Sequence, residues 1–404
     1  MAPLLLASLP ASVALSAPIE GEVIATESRW AYDHSVIVTE SVVETRDGAR
    51  ISVQQAGGSV DGIGMRRSHG LPILAVGDAL VGSHEPRPTN TGRTVNQLVA
   101  VQQLQRHASG TKNTETHEFV RTENTSEKQI SWKSGCAILS VAEEGSEQIA
   151  GTAEFQVVDQ VLQNWNEGSD ACSDFALVNE GTTSREVGFD GHNVIKFREA
   201  QWCRPATDED PQECYDEAAA GITTLYFVDD DGSDRNGEIL DADIELNGVQ
   251  FAFAVGGQSS GTSSCQADFA NTLTHEIGHF LGLDHTCWIG GRRLQDNQGN
   301  TVPSCTSPTL GDEITEATMY NFQSCGETKK ATLEPDDLAG MCAIYPSGEH
   351  PTSCKPADLT TGGCCAIAGN RGDHSSNGST GALALFGFAS LVLAMRRRRP
   401  EAAS

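Results

Sequence analysis

Residues 275–285 read His-Glu-Ile-Gly-His-Phe-Leu-Gly-Leu-Asp-His, and these residue types at these offsets define a chemistry. His275 and His279 stand one turn apart on a helix, so both rings project from the same face. Two imidazoles so placed bind one Zn²⁺ through ring nitrogens at roughly 2.0–2.1 Å. Glu276 lies beside them and can reach a water on the metal without being a ligand. Gly282 tolerates positive φ, which lets the helix stop and the chain turn sharply. His285 then swings back as a third ligand. Three protein ligands leave a fourth position for water, the layout of a catalytic rather than a structural zinc site. A bare H-E-x-x-H recurs by chance on helix surfaces, but Gly282 and His285 at fixed offsets make coincidence remote.

The elements that must position this set can be read around it. Phe269, Leu273, Ile277 and Phe280 recur at helical spacing and predict a helix whose other face carries the histidines. Upstream, Phe155, Val158, Leu162 and Trp165 repeat in the same way and predict a second amphipathic helix. Val194 to Phe197 and Thr223 to Val228 suit sheet strands, and Ile130 with Trp132 suits an entry strand. A helix, then strands, then the metal helix predicts an α/β (α+β) domain beginning near Ile130.

The stretch 275–285 matches at every fixed position the extended motif of the metzincin zinc peptidases, which this chain therefore resembles. The resemblance implies Zn²⁺ on His275, His279 and His285, with Glu276 as general base. It also implies a Met-turn beneath the metal, for which Met319 in Ala317-Thr318-Met319-Tyr320 is the candidate. A twisted mixed sheet above the active-site helix would follow, with one antiparallel edge strand that pairs with extended substrate; residues 238–246 are the expected edge. Tyr320 directly after the methionine is similar to matrixins. Asn321 stands where astacins and serralysins carry a tyrosine near the metal, so that donor is absent. Glu334-Pro335-Asp336-Asp337 resembles the start of the last matrixin helix. Acidic residues there favour the helix dipole; the matrixin reading is that Asp336 or Asp337 binds a new N-terminus after processing. The resemblance covers residues 130–346.

The rest of the 404-residue chain is divided by composition. Fifty-five acidic against 27 basic side chains give a net charge of −28, a field that disfavours nucleic acid and anionic membranes and suits an exported protein. Residues 1–17 are small and apolar and read as a signal peptide, although without a basic start. Residues 18–105 read as a small all-β module, with a hairpin at Asp47-Gly48. Its histidines, His34, His69 and His84, like His107 and His117 beyond it, show no ligand spacing and read as surface residues. No cysteine precedes Cys136, so a cysteine-based zinc block is absent. The module is then a steric block or, the plainer reading, an accessory domain. Residues 106–129 read as a linker that could carry a processing site.

Ten cysteines from Cys136 to Cys354 fall in or just after the peptidase-like region, an even set that predicts disulfides and an oxidising compartment. Only Cys203 and Cys214 suggest a local loop. Asp229, Asp231 and Asp234 sit in an acidic turn that is permissive for Ca²⁺ but matches no defined loop. Residues 347–380 read as a Gly/Ser/Pro-rich linker. Residues 381–399 are an apolar segment with four arginines at its end, short for a membrane span. With Cys364 and Cys365 it resembles the MYXO-CTERM surface-sorting tail of bacteria, which implies sorting machinery, a membrane anchor and retention at the cell surface. The expectation is a monomeric, surface-sorted zinc metalloendopeptidase acting on protein or peptide substrates. The alternatives are a non-catalytic surface binding protein on the same scaffold and another zinc hydrolase.

Overall fold

A computed structural model describes residues 16–105, 119–256, 265–289, 294–351, 354–356 and 359. Its first strands, β1 (Ala17–Ala31), β2 (Val36–Thr45) and β3 (Arg50–Ala56), are joined by short connections. The β2–β3 hairpin turns at Asp47-Gly48, as expected, with Gly48 at φ +82°. Next come β4 (Gly58–Val60), β5 (Ile63–Arg67), β6 (Ala79–Pro88) and β7 (Thr94–Gln105). Strands β1, β2, β3, β7 and β6 close into a barrel. Closure leaves no open edge, and Ile19, Val23, Val43, Val53, Leu80 and Leu98 fill the interior.

The short strands β4 and β5 leave the barrel. They complete a seven-stranded sheet in the order β10-β9-β11-β15-β14-β5-β4, whose other members are β9 (Cys136–Ala142), β10 (Ala176–Thr183), β11 (Asn193–Arg198), β14 (Gly221–Val228) and β15 (Ile239–Asn247). A two-residue strand, β8 (Val120–Arg121), precedes them, and β12 (Cys203–Arg204) pairs with β13 (Glu213–Cys214) in a small ribbon. The N-terminal region is thus not a separate module: two of its strands belong to the sheet that carries the site. Strands β9, β10, β11 and β15 are parallel, and β14 is antiparallel to β15. Residues 239–247 therefore form an interior strand, not the expected edge. The antiparallel strand is β14, and its free side is taken by β5.

The two faces of this sheet differ. On one, Leu139, Val141, Ile195, Phe197, Ile244 and Leu246 pack on α1 (Ala153–Ser169) and on α2 (Phe269–Phe280), which follows the small parallel pair β16 (Ala252–Ala254) and β17 (Gln266–Asp268). The expected stripes are there: Val158, Leu162 and Trp165 of α1, and Phe269, Leu273, Ile277 and Phe280 of α2, are buried. Each such side chain contributes about 1.5–3 kcal/mol. On the other face a bulge opposite Tyr226 and Phe227 brings Leu240 round beside Asp241, Asp243 and Glu245. Glu245 accepts from Arg198 Nε at 2.6 Å and from Tyr215 Oη at 3.0 Å. Burial opposes its ionisation, but Arg204 and Arg198 hold its pKa down to about 2. Tyr226, Val228 and Leu240 on this face meet Val36, Ile37 and Val38 of the barrel.

Two expected boundaries shift. Ile130 and Trp132 are core anchors rather than an entry strand, which is β9; Trp132 Nε1 donates to the Phe280 carbonyl at 2.9 Å, capping the end of α2. Residues 119–129 belong to the core, not to the linker: Phe119 is buried, and Thr122 N donates to the Gly282 carbonyl at 2.9 Å. The short strand β18 (Leu283–Asp284) pairs with β8. A short helix α3 (Asp312–Thr315) and α4 (Pro335–Ile344) follow.

Five disulfides join all ten cysteines between 136 and 354: Cys136–Cys354, Cys172–Cys342, Cys203–Cys214, Cys265–Cys325 and Cys287–Cys305. Cys203–Cys214 is the local loop expected, and the pairings of 218 and 170 residues could not have been inferred from spacing. Among the described residues no helix is long and apolar enough to cross a membrane. Residues 1–15, 106–118 and the tail with Cys364, Cys365 and segment 381–399 lie outside the described residues, and the signal peptide and sorting tail expected from the sequence fall there.

Candidate metal centre

Helix α2 starts where Asp268 accepts the Asn271 N–H at 2.9 Å, an N-cap that satisfies one orphan donor. Its apolar stripe pins it under the sheet, which fixes the opposite face. His275 and His279 project from that face. The helix ends at Gly282, φ +95°, whose N–H bonds to the His279 carbonyl at 2.9 Å. A Cβ at this position would stand 2.7 Å from the Ile130 carbonyl oxygen, so only glycine fits the turn. The turn delivers His285 to the same point. The three Nε2 atoms lie 3.2, 3.2 and 3.0 Å from one another, close to the edge of about 3.3 Å of a tetrahedron with 2.0–2.1 Å arms.

The other ring nitrogens set the tautomers. His275 Nδ1–H donates to the Thr318 carbonyl at 2.6 Å and His279 Nδ1–H to the Leu283 carbonyl at 2.9 Å. Each Nε2 lone pair is then turned inward. Burial, reinforced by Lys330 and the neighbouring imidazoles, holds His275 well below its ordinary pKa. Burial and His279 do the same for His285, and burial lowers His279 although Glu276 opposes it. Three buried imidazoles held below their ordinary pKa, with Nε2 atoms converging on one point, fit a metal cation.

Glu276 is buried beside them. Its Oε2 accepts from Thr223 Oγ1 at 2.7 Å, on β14, and from Ser68 Oγ at 3.3 Å. Burial works against its ionisation, yet His69, His279 and Thr223 keep its pKa below the ordinary carboxylate value. A Cβ on Gly221 would come within 2.9 Å of the Glu276 side chain, so the carboxylate occupies space that glycine leaves. Met319 is buried directly below α2: a Cβ on Gly278 would fall 2.2 Å from its Sδ. The peptide before it supplies the Thr318 carbonyl to His275, and the Met319 carbonyl accepts from Thr286 N at 3.1 Å. The turn at Met319 thus orients one ligand and braces the loop after another. Behind it, Lys330 Nζ donates to the Phe322 carbonyl at 2.9 Å, and burial lowers its pKa to about 8.

The structure does not support the other candidates as ligands. Asp229 accepts from Thr125 Oγ1 at 2.8 Å and Asp231 from Asn236 Nδ2 at 3.0 Å. Among the described residues the only group of three or more potential ligands converging on one point is a set of histidines, so Asp229, Asp231 and Asp234 form no Ca²⁺ cage. Asp337 accepts the Glu334 N–H at 2.8 Å and caps its own helix, the plainer of its two readings. Burial raises its pKa to about 6.

That convergent set contains one residue that sequence reasoning placed on the surface. His69, just past β5, joins His275, His279 and His285 with ligand atoms all within 4.8 Å of one another. Its ring centroid is 4.8 Å from that of His285 and 5.9 Å from that of His275. Its Nε2 lies 3.6 Å from Glu276 Oε1, and its side chain is only 16% exposed. No local spacing marks it, because its partners lie across the whole chain. Of the other N-terminal histidines, His34 is exposed, as expected, and His84 is half-buried; His107 and His117 lie outside the described residues.

A helix bearing His-Glu-x-x-His under a mixed sheet, with a third histidine returned by a glycine turn, defines a zinc metallopeptidase centre. Residues 250–332 match the model of peptidase family M43, described as pregnancy-associated plasma protein-A, a metzincin-type family. This match supports a zinc metallopeptidase that acts on protein or peptide substrates. It spans α2, the third histidine and Met319. No curated protein matches the chain.

Proposed function

We propose that the chain is a zinc metalloendopeptidase in which Glu276 is the general base. The observation that carries this reading is the fixed carboxylate beside three converging Nε2 atoms. A zinc ion held there supplies an activated water and a Lewis acid for the scissile carbonyl. His275, His279 and His285 hold it, and their backbone partners keep the rings in register. Glu276, locked by Thr223, accepts the proton of the attacking water and passes it to the leaving amine. Met319 holds the Thr318 carbonyl in place and takes no part in proton transfer. Matrixin-like character is the finer reading, supported by Tyr320 after Met319 and by the acid-capped last helix. Export and surface sorting belong to the same proposal: five disulfides fit an oxidising compartment.

The test is cleavage of a mixed peptide library by the full chain, before and after limited trypsin digestion, with and without a zinc chelator. Chelator-sensitive cleavage is expected, and Glu276→Gln should lower it by about 10²–10⁴-fold while one zinc stays bound. Zinc-loaded, trypsin-treated protein that cleaves nothing would instead favour the binding-protein reading. Full activity in Glu276→Gln would remove that residue from the role.

A further inference from the structure

We infer that His69 is a fourth ligand of the same metal, and that β5 and its following turn form a built-in occupant of the substrate groove. This rests on the zinc-peptidase reading and adds what holds the site shut. Three independent features of the structure converge on it.

The first is the edge. Strand β14 is the antiparallel strand beside the metal, and β5 pairs along its outer side from Val228↔Ile63 to Thr224↔Arg67. An extended peptide that adds to this edge would use the same backbone groups. The pairing continues into the turn: Ser68 N donates to the Thr223 carbonyl at 3.0 Å, and Ser68 Oγ accepts from Thr223 N at 3.0 Å. The chain next to Glu276 is therefore held as a bound peptide would be.

The second is the ring. One residue past Ser68, His69 points among the three zinc-site histidines and toward Glu276. The widest separation in the four-nitrogen set is 4.8 Å. A zinc tetrahedron needs about 3.3 Å, so a side-chain shift on the order of 1.5 Å completes it. An imidazole in that position takes the place of the water on which turnover depends.

The third is the pair of latches on either side. Arg66 donates to Asp284 Oδ2 at 2.8 Å, next to His285 in sequence. Arg67 makes a buried, two-pronged ion pair with Glu213, and its guanidinium stacks over Tyr215 at 4.7 Å. Bidentate, desolvated arginine pairs fix geometry rather than merely add attraction. Beyond the turn, a cavity of about 690 Å³ opens between Leu71, Ile73, Trp288 and Asn321, so the groove is blocked at the metal and open beside it.

The test loads the full chain with cobalt(II) in place of zinc, as wild type, His69→Ala and His69→Cys, and adds acetohydroxamic acid as the probe of an open metal position. Wild type should show a four-coordinate visible spectrum that the probe barely changes. His69→Ala should keep one cobalt, change spectrum, and bind the probe at least about tenfold more tightly. His69→Cys should gain a thiolate-to-cobalt charge-transfer band, which arises only if position 69 reaches the metal. Identical spectra and probe affinity in wild type and His69→Ala, or no charge-transfer band in His69→Cys, would overturn the fourth ligand while leaving the peptidase reading intact. Absence of cobalt from all three proteins would overturn both.

Discussion

Helix α2 and strand β5 bring histidines to one point from opposite sides, and they hold them differently. On the helix side, His275 and His279 are each tied through Nδ1 to a backbone carbonyl, and the apolar stripe behind them is fully buried. On the strand side, His69 has its polar contact with Glu276, the proposed general base. Its position derives from backbone pairing and two arginine pairs, not from support of the ring itself. The difference separates a permanent ligand from a displaceable one. The removable group sits on the turn after β5, and its ring lacks the backbone anchors that hold the two helix histidines, while Ile63 and Met65 keep the strand itself packed.

The largest effect expected from breaking this contrast is at the strand. Arg67→Met leaves Glu213 buried and unpaired, which should cost about 3–5 kcal/mol in urea unfolding. The double variant Arg67→Met/Glu213→Leu should recover much of it; no recovery would mean that the pair is not what anchors β5. Next, zinc affinity should discriminate the two kinds of histidine. His279→Ala should weaken binding by more than about 100-fold, beyond the cost of losing an outer partner, whereas His69→Ala should stay within about tenfold, since water can fill a fourth position. Equal losses, measured by competition with a chromophoric chelator, would erase the distinction.

A third prediction concerns the support behind the helix side. Asp337 has its pKa raised to about 6 by burial, against an ordinary value of 3.8. The folded state thus holds this proton to higher pH than the unfolded chain does. Its contribution to stability is complete below about pH 4 and is lost as pH rises toward 6, by up to about 3 kcal/mol. In Asp337→Asn, which keeps an acceptor for the Glu334 N–H, that part of the stability–pH curve should flatten. An unchanged slope would assign the pH dependence elsewhere. The smallest effect sharpens the helix side alone. Gly278→Ala drives a methyl into Met319 Sδ and should destabilise by about 1–3 kcal/mol, with no change in the cobalt spectrum attributable to position 69.

The ligands of α2 were legible because their geometry is local. Two histidines and a glutamate on one helix, then a glycine and a third histidine, specify a site through helical periodicity and one turn. The stripe Phe269, Leu273, Ile277 and Phe280 was legible for the same reason. His69 was not, because Ser68 beside it meets Glu276 across 208 positions of sequence. Strand β5 lacks a clean alternation, and its run of arginines reads as surface until Glu213 and Asp284 are placed opposite. The same limit misplaced the edge strand. Strand β15 buries both of its faces, one apolar and one acidic, and the acidic face reads as exposed until Arg198 and Arg204 pair with Glu245 and the N–H groups of Gly188, Asp190, Gly191 and Val194 donate to Asp241 and Asp243. The run from Phe119 to Gln129 looked like linker because its few apolar residues are spent on distant partners.

The disulfide between Cys136 and Cys354 encloses the other four. A single cut of the backbone anywhere between these two cysteines therefore releases no fragment; both new ends remain covalently attached to one body. For the proposed endopeptidase, this would confer tolerance of self-digestion: a nicked molecule keeps its two halves together, and damage has to accumulate before the metal helix can be shed.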